Sequence, residues 1–390
     1  MQAALYGPGG FYARGEPPAR HFRTSVHVSP GYAGAVLELL RQVDAALGRP
    51  ERIDLVDVGA GRGELLAQVL AAAESGQAER GQPARWRSER GPAAGGSADA
   101  ERGPAAGESA DAERGPAAGG SAGEEVAERE PAWRGLAGRI AACAVEVAPR
   151  PAGLDPRIRW QPVPPAGITG LVVASEWLDN VPLDVVELTA AGPAVIQVDP
   201  ATGAERPHGE PGPADLAWIR AWWPLRACGE RAEVGRTRCA AWAGVIRGID
   251  RGVAVAADYG HLRAARPGCG TLTGYLEGRA VPAIPDGSRD ITAHVALDAC
   301  AAAGTAAGAS GTVLTTQRAA LRALGLDARR PPPGLAASDP EGYARALCQA
   351  SQDAELVDAE GLGGFGWLIQ AVGMALPEPL ARLAHGAGRT

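Results

Sequence analysis

Carboxylates and glycines mark where chemistry could happen in this chain. Residues 53–66 read Ile-Asp-Leu-Val-Asp-Val-Gly-Ala-Gly-Arg-Gly-Glu-Leu-Leu. An apolar, β-branched run ends at Asp57, and Gly59, Gly61 and Gly63 follow at every second position. Glu64, Leu65 and Leu66 then open a helical pattern. Strand, glycine turn and helix present a helix N-terminus and bare backbone N–H groups to a ligand. A Cβ on the turn would block both the ligand and the positive φ angles it requires. Further on, Glu146 closes a second apolar run, and Glu176 and Asp179 follow a third, Gly170–Ser175. Ligands of open α/β sheets lie at such carboxyl ends.

These residues need a parallel sheet to hold them together. Ile53–Val58 and Ile140–Val147 read as buried strands, Arg157–Val163 as a short one, and Gly170–Ser175 and Gly252–Ala257 as central ones. Residues 183–199 alternate around Ala190-Ala191-Gly192-Pro193 and read as a hairpin added to the main sheet. Residues 214–249 read as helical, their tryptophans being core or domain-interface packing. Helices near 316–325 and 340–352 and a last strand from Phe365 to Val372 complete the pattern. Before the first strand, Ser29-Pro30 caps a helix through Leu47. The aromatic, Gly/Pro-rich residues 5–28 read as an ordered loop or cover, in which His21 and His27 are packing residues or site residues.

Residues 89–100, 101–112 and 113–122 carry a twelve-residue repeat with almost no large apolar side chains. Such a segment cannot bury enough surface to offset chain entropy. The reading is a disordered insertion over 76–131, removable without loss of activity. Glu146 lies 83 residues after Gly63, and 27 once the 56 residues of 76–131 are set aside. That is close to the spacing of an acid that accepts hydrogen bonds from ribose hydroxyls at the end of a second strand.

Composition excludes several alternatives. All 38 basic residues are arginine, so neither a lysine Schiff base nor a P-loop lysine is available. A net charge of −7 argues against a general nucleic-acid surface. Six scattered cysteines without Cys-x-x-Cys, and six histidines without metal-ligand spacing, indicate free thiols and no metal site. No 18-residue apolar run and no signal-peptide pattern occur, so the expectation is a cytoplasmic protein without a membrane span.

The Gly-x-Gly-x-Gly turn with its preceding acid resembles the first motif of class I S-adenosylmethionine methyltransferases. More specifically, the chain resembles the MidA/NDUFAF7 family of such enzymes. The matching stretches are Phe22–Ser29 (Phe-Arg-Thr-Ser-Val-His-Val-Ser), Asp57–Gly63, Ser175–Pro182 (Ser-Glu-Trp-Leu-Asp-Asn-Val-Pro), Asp258-Tyr259-Gly260, Gly270–Tyr275 and Asp290–Val295 (Asp-Ile-Thr-Ala-His-Val). The resemblance implies an α/β fold: a Rossmann-like methyltransferase sheet with helices on both faces and an added hairpin and helical subdomain. Taken with the repeat, the chain divides into a cover at 1–52, a methyltransferase domain at 53–75 and 132–390 with substrate elements near 183–250 and 270–300, and the insertion at 76–131.

The same resemblance implies S-adenosyl-L-methionine as cofactor. Asp57, Gly59, Gly61, Gly63, Glu146, Thr24 and Ser25 would bind it. Glu176 and Asp179 would be catalytic, and Ser175, Asp258, Tyr259 and His294 would meet the acceptor. Ser175 stands where the family carries asparagine. The acceptor implied is a protein arginine, as for the mitochondrial member that modifies a subunit of respiratory complex I. Against this stand a cofactor-binding assembly factor without turnover and a nicotinamide oxidoreductase.

Overall fold

A computed structural model gives the fold and describes residues 1–14, 24–75 and 132–386. The expected insertion at 76–131, and His21 with Phe22 and Arg23, lie outside the described residues. The chain opens with α1 (Gln2–Tyr6), a short α2 (Ser25–Val28) and α3 (Pro30–Ala46). Ser29 starts α3 as expected: its hydroxyl accepts the Gly31 N–H, with Pro30 at the first helical position.

The first half of the sheet follows: β1 (Ile53–Val58), α4 (Glu64–Ser75), α5 (Ala132–Ala137), β2 (Ile140–Val145), β3 (Arg159–Gln161) and β4 (Ile168–Ser175). Beyond β4 come β5 (Asp184–Thr189), β6 (Gly192–Val198), β7 (Glu205–Pro207), α6 (Pro213–Trp222), β8 (Arg231–Val234) and α7 (Arg236–Arg247). The chain re-enters the sheet at β9 (Ile249–Asp258) and continues through β10 (Gly260–His261), β11 (Thr273–Leu276), β12 (Arg279–Val281), β13 (Asp290–Thr292) and β14 (Val295–Ala296). It ends with α8 (Leu297–Ala306), β15 (Gly311–Thr316), α9 (Gln317–Ala323), α10 (Pro333–Ser338), α11 (Pro340–Leu356), β16 (Gly366–Val372) and α12 (Glu378–Gly386).

The seven-stranded sheet runs β15-β16-β9-β4-β1-β2-β3. Strands β9, β4, β1, β2 and β3 are parallel, and β16 is antiparallel to β9. Strand order reverses between β1 and β4, which opens a crevice above their carboxyl ends. Apolar strands with both faces covered explain the near-continuous hydrophobic runs. One face packs on α3 and α4 through Leu37, Leu40, Leu66 and Val69, the other on α7 and α8 through Trp242, Ile246 and Cys300. No helix among the described residues is long and apolar enough to cross a membrane.

Two expectations need correction. The hairpin does not extend the main sheet: β5 and β6 belong to a separate sheet of order β7-β6-β5-β8. The chain leaves β4 between β1 and β9, which already occupy both edges of β4, so the hairpin has no strand there to join. Residues 214–249 are not continuously helical, because β8 interrupts them and pairs with β5 at Asp184↔Val234. Four residues carry too little periodicity to reveal such a strand. Helix α8 and β15 lie outside the elements that the sequence pattern predicts.

Candidate active site

The chain turns sharply where β1 ends. Gly59, Gly61 and Gly63 have φ of 75°, 57° and 82°, so all three occupy the left-handed region that glycine enters at least cost. Their surroundings differ. A Cβ on Gly59 would stand 2.7 Å from Trp177 Cδ1, and one on Gly63 would stand 2.9 Å from Leu154 Cδ1. These two glycines admit close packing of the protein on itself. A Cβ on Gly61 would meet only Glu64 Oε2, at 3.8 Å, with open space beyond. Gly61 is therefore the glycine that leaves room for a ligand.

Glu146, one residue beyond β2, reaches this turn. Its Oε2 accepts the Gly61 N–H at 3.1 Å, while Oε1 accepts the N–H groups of Val147 at 2.7 Å and Ala148 at 3.0 Å. Asp57 is buried beneath, and burial, reinforced by the charges of Glu146 and Glu64, raises its carboxyl to about 7. Together these groups floor a cavity of about 560 Å³, within the roughly 300–1,000 Å³ of small-molecule sites.

The opposite wall comes from the end of β4. The Ser175 hydroxyl is 2.6 Å from that of Tyr32. Glu176 adopts φ 52°, an uncommon conformation for a residue with a side chain. Its N–H donates to the Ala257 carbonyl at 2.8 Å, and its Oε1 accepts the Ser25 N–H at 3.0 Å. The strained backbone turns a half-buried carboxyl into the cavity, where burial raises it to about 8. Backbone strain held at the end of a central strand is a mark of functional sites.

The N-terminal segment closes over the top. Tyr12 Oη lies 2.9 Å from Asn180 Oδ1 and 3.0 Å from Asp290 Oδ1, and Tyr6 donates to the Asn180 carbonyl at 3.3 Å. The two rings stack with centroids 5.5 Å apart and line the cavity. Of residues 5–28, the described part holds Tyr6, Tyr12, Thr24, Val26 and His27 on the cavity, with α2 as a helical piece.

The expected site residues therefore divide. Thr24, Asp57, Gly59, Gly61, Glu146, Ser175 and Glu176 all line the cavity. Ser25 contributes its backbone N–H to Glu176 but turns its hydroxyl away, to Gln317 Oε1 at 3.2 Å. Gly63 lies under the turn. Asp179, expected to be catalytic, and Asp258, expected at the acceptor, are instead 5% and 0% exposed and do not line the cavity. Asp258 accepts the N–H groups of Leu178 at 2.9 Å and Asp179 at 3.2 Å, and Asp179 accepts the Thr292 hydroxyl at 2.7 Å. Both shape the turn after Glu176. Beside them the buried Arg238 donates to the carbonyls of Val181, Ala293, His294 and Asp179.

Tyr259 and His294 also stand off the cavity wall. Their rings stack on one another at 5.7 Å, and Tyr259 packs on Phe365 at 4.0 Å. Sequence reasoning did not single out Tyr6, Tyr12, Trp177 or Glu64 for the cavity. Glu64 directly follows the glycine turn, Trp177 directly follows Glu176, and Tyr6 and Tyr12 lie in the aromatic N-terminal stretch, which were the available signals. No group of His, Cys, Asp and Glu suited to a metal occurs among the described residues.

Comparison with known proteins bears on this geometry. Residues 136–315, just under half of the chain, match a family model described as "Putative S-adenosyl-L-methionine-dependent methyltransferase". A crystal structure of a Burkholderia thailandensis "likely methyl transferase" bound to S-adenosyl-homocysteine superposes with a TM-score of 0.68 at 22% identity. It covers 98% of this chain and 89% of that one. The chain has its fold. A native crystal structure of an uncharacterized protein of the same superfamily and organism gives 0.67, also at 22% identity, covering 98% of this chain and 88% of that one. No curated protein matches the sequence.

Proposed function

We propose that this chain is an S-adenosyl-L-methionine-dependent methyltransferase acting on an arginine side chain of a protein. The observation that carries the cofactor reading is the Glu146 carboxylate, which spans from the end of β2 to the Gly61 N–H at 3.1 Å. It puts an acid capable of accepting ribose hydroxyls beside the one glycine of the turn whose missing Cβ faces open space. The match of residues 136–315 to a methyltransferase family model and the fold shared with a structure bound to S-adenosyl-homocysteine support the same cofactor.

When bound, the sulfonium supplies a methyl group: a bond to the acceptor nitrogen forms as the carbon–sulfur bond breaks, and the electron pair stays on sulfur. The chain's own residues bind and align. Gly61 allows close approach of backbone, Glu146 holds the sugar hydroxyls, and Asp57 faces the cationic amino-acid end. Holding donor and acceptor in line is worth roughly 7–11 kcal/mol of barrier.

Asp57, Glu64, Glu146 and Glu176 on one cavity favour cations, which suits a guanidinium acceptor. With its carboxyl at about 8, Glu176 is mostly protonated near neutrality. An arriving guanidinium favours the carboxylate, which binds it at two nitrogens and directs a third at the donor. The protein class of the acceptor, and a link to respiratory-complex assembly, rest on the family resemblance.

Calorimetric titration of the full chain with S-adenosylhomocysteine and with NAD tests the cofactor. Binding of the first alone is expected, and binding of NAD alone would overturn the reading. Mass spectrometry of arginine methylation in cells with and without the protein tests the acceptor, and an unchanged arginine methylome would exclude it.

A further inference from the structure

The cavity wall carries Thr24, His27 and Glu64, of which the methyl-transfer reading has used only the charge of Glu64. Thr24 Oγ1 stands 2.6 Å from His27 Nδ1, and His27 Nε2 stands 3.5 Å from Glu64 Oε1. All three residues line the cavity. Thr24 is also the neighbour of Ser25, whose N–H holds Glu176. We infer that Thr24, His27 and Glu64 form a relay that removes the proton released when the acceptor nitrogen is methylated. The inference rests on the methyltransferase reading and adds a proton path to it.

The path follows from which atoms can donate. Burial would raise Glu64, but the bonds from His27, its own N–H and the Arg62 N–H outweigh burial and hold it below its ordinary range. Glu64 is thus an acceptor only, and a neutral His27 turns its Nε2–H toward it. Nδ1 is then the basic nitrogen, and the Thr24 hydroxyl donates to it. This is the nucleophile–base–orienter arrangement, here with a hydroxyl facing a substrate cavity.

Methylation of a guanidinium yields a methylguanidinium of the same charge, so one proton must leave. It passes to Thr24 Oγ as the Thr24 proton passes to His27 Nδ1. The resulting imidazolium pairs with Glu64. Both side chains are 31% exposed, which lets His27 return the proton to water. Asp57, Arg62, Glu64, Glu146 and Glu176 are the charged residues that line the same cavity as His27. Helix α11, packed on α2, adds Asp353, bonded to Ser29 at 2.5 Å.

The test uses the full chain with 15N-labelled histidine rings, His27 being assigned from the His27→Gln spectrum. Neutral His27 is expected as the Nε2–H tautomer with a hydrogen-bonded Nδ1. Glu64→Gln should lower its titration midpoint, and Thr24→Val should move the Nδ1 resonance. A midpoint and resonance indifferent to both substitutions would overturn the relay. Titration with S-adenosylhomocysteine reads the underlying assignment separately: His27→Gln should bind within twofold of wild type, and a wild type that fails to bind refutes the methyltransferase itself.

Transfer of tritiated methyl groups from S-adenosylmethionine to protein, followed from pH 6 to 9, completes the test. Wild type should lose rate below the His27 midpoint. His27→Gln should be slower by about 10²–10⁴-fold and lack that limb. A variant that keeps both rate and profile would show that His27 is a packing residue.

Discussion

Replacing Glu176 with glutamine separates the charge at the end of β4 from the shape of the site. Burial raises the native carboxyl from its ordinary 4.5 to about 8. A group raised on folding stabilises the native state fully below its unfolded value, and that contribution is lost as pH climbs through the folded value. The window is therefore about pH 4.5 to 8. Each unit is worth about 1.4 kcal/mol, so the full linkage would approach ~5 kcal/mol. Glu176 lines a cavity and is only half-buried, so water screens part of this, and we expect about 2 kcal/mol. Urea unfolding of both proteins from pH 5 to 9 measures it. Asp57 and Asp290, both raised to about 7 by burial, and Asp179 and Asp258, also raised by burial, lower the stability of both proteins as pH rises. Because the Glu176 charge itself adds to the rise of Asp258, the difference reads Glu176 together with that coupling. Glu176→Gln should lose about 2 kcal/mol less than wild type across that range and should transfer methyl groups far more slowly. Parallel stability curves would refute the placement of this carboxyl in a poorly solvated wall.

Gly61→Val places a branched side chain at φ 57° and directs it into open cavity. A far-UV spectrum near native and loss of S-adenosylhomocysteine binding are expected, and retained affinity would show that the turn is not the site. Glu146→Ala removes a charged acceptor worth about 1.5–3 kcal/mol. Calorimetry should read a roughly 10- to 150-fold weaker Kd for the same ligand, whereas an unchanged Kd would exclude a sugar contact. Arg238→Met leaves four carbonyls without their donor and two buried aspartates without their cation. It should cost about 3–5 kcal/mol in urea unfolding, and a loss below 1 kcal/mol would mean that other donors replace it.

Elements whose signal is local could be read from residue order. The strand, glycine turn and helix over 53–75 were legible because buried parallel strands read as unbroken apolar runs and because a turn with three positive φ angles requires glycine. Glu146 was legible as well, since its distance from Gly63 becomes ordinary once a segment too polar to form a core is set aside. Which acids face the cavity depends on contacts between distant elements. Glu176 and Asp179 are three residues apart and chemically alike, yet only Glu176 lines it. Asp179 is drawn inward by Thr292, 113 residues further along. Ser25, Asp258 and Tyr259 were drawn off in the same way by Gln317, the turn at 178–180 and Phe365. The direction of a side chain at a strand end depends on partners from distant elements, and those come together only when the sheet closes.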